Sequence, residues 1–130
     1  MNVANLFLVS AILAIGFGLA LLGVPGPFLH QYGVELGSAG AVEVARLFGS
    51  ALIGFGVLSL SARSRPEAWP VAVITNLVAD ALGLVVAVHG TLTGATNAMG
   101  WSTVVIYAGL AAGFAYFRFA PQATATPATR

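Results

Sequence analysis

The sequence predicts an all-α protein: one bundle of four transmembrane helices, up-down-up-down, with both termini on the cytoplasmic side. Three observations carry this expectation. Across 130 residues, hydrophobic types make up 58% and charged types 7%, whereas a soluble domain carries about 25% charged residues. The mean hydropathy of +0.94 suits a chain whose solvent is mostly lipid. Four apolar stretches each approach the roughly 20 residues needed to cross about 30 Å of hydrocarbon. The same composition excludes a water-soluble globule, a disordered polar chain and a basic nucleic-acid binder, and the absence of Cys excludes a disulfide scaffold.

The first span, residues 3–24, contains no charge and stops at Pro25-Gly26-Pro27, which cannot continue a helix. It is read as a retained span rather than a signal peptide, because no basic segment precedes it and no small-residue cleavage site follows. The second span is set at 41–62. Its strictly uncharged part, 47–62, would cover only about 24 Å, so the helix should begin near Ala41 and take in Glu43 and Arg46. The third, 70–89, carries Asp80 near its middle, and the fourth, 99–119, has no charge before Arg118. Residues 1–120 thus form a single membrane domain, and the Ala/Thr/Pro-rich tail 121–130 is expected to be disordered. The segments are too long and too continuously apolar to be β-barrel strands.

Four spans put the N-terminus, the loop 64–69 and the C-terminus on one side, which holds Arg63, Arg65, Arg118 and Arg130. The other side holds the loops 25–40 and 90–98, with His30 and Glu35 and only Arg46 nearby. The positive-inside rule then makes the arginine-rich side cytoplasmic. Trp69 and Trp101 fall at opposite predicted interfaces, where indole rings are favoured. The chain has no Lys and is rich in Ala, Gly and Arg, a pattern that suits a GC-rich bacterial genome and hence the inner (cytoplasmic) membrane. The loop 24–36 mixes aromatics with turn residues and is read as a short surface segment capping the bundle.

Small residues let helix backbones approach closely in lipid. The expected packing positions are Gly49 and Gly54 on the second span, Gly83 on the third, and the GxxxG pair Gly109 and Gly113 on the fourth. The last pair could alternatively face another subunit. Ile15-Gly16-Phe17-Gly18 recurs as Ile53-Gly54-Phe55-Gly56, a short similarity in a biased composition.

Asp80 is the most informative residue, because an acid at the bilayer centre costs about 2.5–3.5 kcal/mol on the insertion scale. It should face the interior and find partners. Asn76 lies one turn away on the same face. By helical rise, Arg46 sits about 6–8 Å below the outer boundary, Tyr107 about 10 Å and Asp80 about 15 Å. A polar network of Glu43, Arg46, Asn76, Asp80 and Tyr107 is therefore expected. It would be a clasp that fixes helix register or, alternatively, a proton-relay or ligand site. His30 and His89 lack the spacing of a metal pair. No nucleophile elbow, phosphate loop, CxxC or haem motif occurs, so neither catalytic residues nor a cofactor or metal is expected.

The run Val44-Ala45-Arg46-Leu47-Phe48-Gly49 through Ala62-Arg63 resembles a pattern of small bacterial four-helix membrane proteins of unknown function. Asn97-Ala98-Met99-Gly100-Trp101 and Gly113-Phe114-Ala115-Tyr116-Phe117-Arg118-Phe119 look like the last helix of such proteins. The Arg-x-Phe-Gly element is also similar to one in the four-helix scaffold protein of ergosterol biosynthesis. That resemblance implies a tethering role and brings no catalytic residues. Small multidrug exporters are similar in length, but their Glu in the first helix is missing here, as are the filter patterns of small fluoride channels.

These readings lead to the expectation of a non-catalytic integral membrane protein, an accessory or scaffold subunit. Its partners would be the lipid bilayer and either another membrane protein or a second copy, with no nucleic acid. The alternatives are a small proton-coupled transporter or channel using Asp80, and a quinone- or lipid-binding subunit of a membrane enzyme.

Overall fold

The computed structural model describes residues 2–120, and the expected tail 121–130 lies outside them. The described residues form five α-helices: α1 (Val3–Gly23), α2 (Pro25–His30), α3 (Ala39–Arg63), α4 (Trp69–Leu92) and α5 (Gly100–Phe119). No strand occurs among the described residues. Four of the helices, α1, α3, α4 and α5, are long and apolar enough to cross a membrane.

Local chemistry sets the helix ends. The Asn2 side chain accepts a hydrogen bond from the Asn5 amide at 2.9 Å and so caps α1. Ser38 caps α3 in the same way, accepting from the Ala41 amide at 3.1 Å. This cap starts α3 two residues ahead of the expected Ala41. The Pro25-Gly26-Pro27 break ends α1, as its lack of a usable N–H requires, but Pro25 then opens the short helix α2. Proline suits that first position, where its missing donor would be unpaired in any case. A 3-10 turn, Pro66–Ala68, leads into α4. The Trp69 indole N–H donates to the Ala62 carbonyl at 2.9 Å and closes the link between α3 and α4.

The long helices form two tight pairs. In the first pair, α1 lies along α3 through glycine contacts. A methyl group on Gly49 would stand 2.7 Å from the Gly18 carbonyl oxygen, and one on Gly56 would stand 3.1 Å from the Ala11 carbonyl oxygen. In the second, α4 lies along α5, and the Tyr107 ring rests on Gly83. Between the pairs the packing is uneven. At one end, where α1 and α4 begin and α3 and α5 finish, a core joins them: Leu6, Phe7, Ala62, Val73, Leu110 and Phe114. The Phe7 and Phe114 rings meet there with centroids 5.4 Å apart. Towards the other end the pairs part.

Outside, the large side chains are apolar. Ile12, Leu19, Leu47, Val71, Leu82, Val85 and Val105 are all exposed. Water would disfavour so continuous an apolar surface, and a lipid surround accommodates it. Beside the apolar core, many buried positions hold small residues, among them Ala11, Gly18, Ala45, Gly49, Gly56 and Ala72, as expected where close approach drives helix association.

Candidate functional site

The site begins with Asn76 on α4. Its side chain is fully buried. The Ser10 hydroxyl of α1 and the Ser59 hydroxyl of α3 both donate to Asn76 Oδ1, at 2.9 and 3.1 Å. Asn76 Nδ2 donates to the Ala72 carbonyl at 2.9 Å. One amide thus links three helices just beyond the apolar core.

One turn further along α4 stands Asp80, which is 4% exposed. Its Oδ2 is buried and has no hydrogen-bond partner among the described residues. Asp80 and Tyr107 both line a cavity of about 710 Å³ between the two helix pairs, within the range of about 300–1,000 Å³ usual for small-molecule sites. The walls are otherwise largely apolar, with Phe17, Leu52, Phe55 and Ile106 prominent. Three wall residues, Phe48 and Ala51 on α3 and Val86 on α4, are themselves exposed. Phe48 is 52% and Val86 71% accessible, so this part of the wall also reaches the outer surface of the bundle.

The connection after α1 covers the parted end. Phe28 of α2, together with Tyr32 and Val34, lines the cavity. Phe28 stacks edge-on against Phe17 at 5.5 Å and lies 5.6 Å from Tyr32. This cover is fastened to the opposite helix pair through Asn97, in the connection between α4 and α5. The Asn97 amide donates to the Tyr32 carbonyl at 2.8 Å, and Asn97 Nδ2 donates to the Gln31 carbonyl at 2.9 Å. Gly33 permits the close approach: it has φ +75°, and a methyl group there would stand 3.2 Å from the Asn97 side chain. At positive φ a glycine avoids the steric cost other residues meet.

The five residues expected to form one network fall into separate groups. Glu43 and Arg46 pair with each other at 3.2 Å on the exposed part of α3. Arg46 therefore has a local partner rather than Asp80. Asn76 belongs to the buried serine cluster, and Asp80 shares the cavity with Tyr107. Of the expected packing glycines, Gly49 and Gly83 meet neighbouring helices, and Gly113 abuts Leu6, 3.0 Å from where a methyl group would be. Gly54 and Gly109 face open space, while Gly18 and Gly56, which the spacing argument passed over, also meet a neighbouring backbone, Gly18 as closely as Gly49 does. His30 lies beside Glu35, 3.2 Å away, on the exposed cover.

Chemically, the arrangement offers an apolar chamber with an unpartnered carboxyl group, Asp80, and the phenol of Tyr107 in its wall. No family model, no curated protein and no solved structure matches this chain.

Proposed function

We propose that this chain is a multi-pass protein of the bacterial inner membrane that holds a lipid- or quinone-like small molecule between its helix pairs, as a non-catalytic subunit of a membrane assembly. In this reading the helices run up-down-up-down. The arginines at positions 63, 65 and 118 lie on the cytoplasmic side, by the positive-inside rule. The covered end of the cavity then lies in the outer half of the bilayer.

One observation supports this reading above a purely structural bundle: an apolar cavity of about 710 Å³ with the carboxyl of Asp80 in its wall. A bundle built only to tether other proteins would gain dispersion energy by closing that space. Keeping it open, with a buried acid in its lining, is reasonable if a ligand fills it. The exposed wall residues Phe48 and Val86 support a route for a hydrophobic molecule from the bilayer without passing through water.

The test is gentle extraction followed by native mass spectrometry. The expected result is a retained small molecule that can be extracted and identified as a lipid or quinone. A ligand-free chain recovered in fixed stoichiometry with another membrane protein would favour the tethering role instead. A ligand-free homo-oligomer whose proton-dependent flux is lost in Asp80→Asn would favour transport. A reporter fused after Phe119 tests the orientation and should be active only in the cytoplasm.

A further inference from the structure

We infer, building on the reading of the cavity as a site for an amphiphile, that the molecule held there carries a hydrogen-bond-donating head without negative charge, a hydroxyl or an amine, and that Asp80 receives it. The contrast between two neighbours on α4 is the starting point. Asn76 and Asp80 are both nearly inaccessible. The protein satisfies Asn76 with two serine hydroxyls and a carbonyl. It gives Asp80 Oδ2 nothing. An unpaired buried acceptor carries a large desolvation cost, which a bound donor would remove.

The charge of the lining selects the head further. No Arg, Lys or His is among the described residues that line the cavity. A fatty-acid carboxylate or a lipid phosphate would bring a second acidic group beside Asp80 with no cation to compensate, so the two could not both be charged and one would have to be held neutral at a cost. A hydroxyl or ammonium group instead brings the donor that Asp80 lacks. Tyr107, seated on Gly83 and lining the same cavity, adds a phenol near the head. The apolar tail then lies against Phe17, Leu52, Phe55 and Ile106.

The test uses the full chain in phosphatidylcholine nanodiscs and three photoreactive probes that share one long alkyl chain and end in an amine, a hydroxyl or a carboxylate. Labelling is mapped to the cavity wall around Phe55 and Ile106. The amine and hydroxyl probes should label the wall about tenfold more than the carboxylate, the upper end of what one ordinary hydrogen bond is worth. In Asp80→Leu the three probes should label equally. Asp80→Asn, which keeps the side-chain volume, should remove the penalty against the carboxylate probe if the leucine variant does not fold. Equal labelling in the unaltered protein, or a head preference that survives both substitutions, overturns the head-group inference and leaves the amphiphile site standing. Absence of wall labelling by every probe overturns both. So does labelling that persists at full strength in Ala79→Phe, in which the new ring projects from the cavity wall.

Discussion

At the scale of single residues, Asn76 shows how a polar group can be stabilising inside an apolar bundle. Its carbonyl oxygen accepts from two serines on two other helices, and its amide nitrogen donates to its own helix. Asn76→Ala removes the shared acceptor and leaves the Ser10 and Ser59 hydroxyls to seek other partners. In water, such a loss costs about 1–3 kcal/mol. In a membrane each contact averages nearer 0.6 kcal/mol, and a serine can turn to a carbonyl of its own helix. The expected loss is therefore about 1 kcal/mol for Asn76→Ala and less for Ser10→Ala alone, read from denaturation midpoints in detergent micelles. Asn76→Asp should destabilise more than Asn76→Ala, because it adds an acid one turn from Asp80 where no cation is at hand. The sequence made Asn76 and Asp80 conspicuous, since polar side chains stand out in an apolar run. Ser10 and Ser59 did not stand out: serine is common in spans, and its partner depends on helix rotation, which one sequence does not encode directly. Arg46 illustrates the same limit. Helical rise gave it a height compatible with Asp80, but height does not set direction around the axis, and Glu43, one turn away on the same face, is the nearer partner.

At the scale of helices, glycine spacing and glycine surroundings are different kinds of information. A small-xxx-small pair says that two residues share a face, not that the face is turned inward. On α3, Gly49 and Gly56 meet the backbone of α1, while Gly54 lies on open surface. On α5, Gly113 meets Leu6 and Gly109 meets nothing. Substitution should separate the two classes. In Gly56→Leu the added side chain runs into Ile15, whose Cγ1 would be 2.6 Å from the new Cβ, and into the Ala11 carbonyl at 3.1 Å. Overpacking of this kind costs about 1–3 kcal/mol, and here the backbone of α1 must move to relieve it. Gly109→Ala meets no neighbour and replaces a flexible residue by a good helix former, so the change should be neutral or stabilising by up to about 1 kcal/mol. Thermal melting of the two variants beside the unaltered chain checks both signs. A marked loss in Gly109→Ala would show that this surface is covered in the membrane, by a second copy or another protein. The four long helices themselves were readable from length and apolarity alone. Helix α2 was not, because Pro25-Gly26-Pro27 signals the end of one helix as well as the start of another.

At the scale of the whole molecule, the two helix pairs are joined differently at their two ends. One end is held by the apolar core around Phe7 and Phe114. The other is held by the cover, whose hydrogen bonds to the opposite pair are made through Asn97. Side chains in a packed core resist separation, whereas a clasp of exposed hydrogen bonds opens easily. Opening should therefore occur at the covered end and pivot about the core. Asn97→Ala tests this directly. It removes the bond to the Gln31 carbonyl and also the bond that the Asn97 side chain accepts from the Met99 amide at 2.9 Å. It leaves the backbone bond from residue 97 to Tyr32 to hold alone. Of the two bonds lost, only the one to Gln31 joins the pairs, and losing one exposed hydrogen bond is worth about 0.5–1.5 kcal/mol. The amide of residue 97, whose bond to the Tyr32 carbonyl spans the two pairs, should then exchange with deuterium roughly three- to tenfold faster. Amides in the part of α1 that carries Phe7, and in the part of α5 that carries Phe114, should be unchanged. If exchange quickens equally at both ends, the pairs do not pivot and the core is no firmer than the clasp. If it quickens only at the covered end, the cavity lies at the end of the molecule that moves, and Asn97 sets how often it opens.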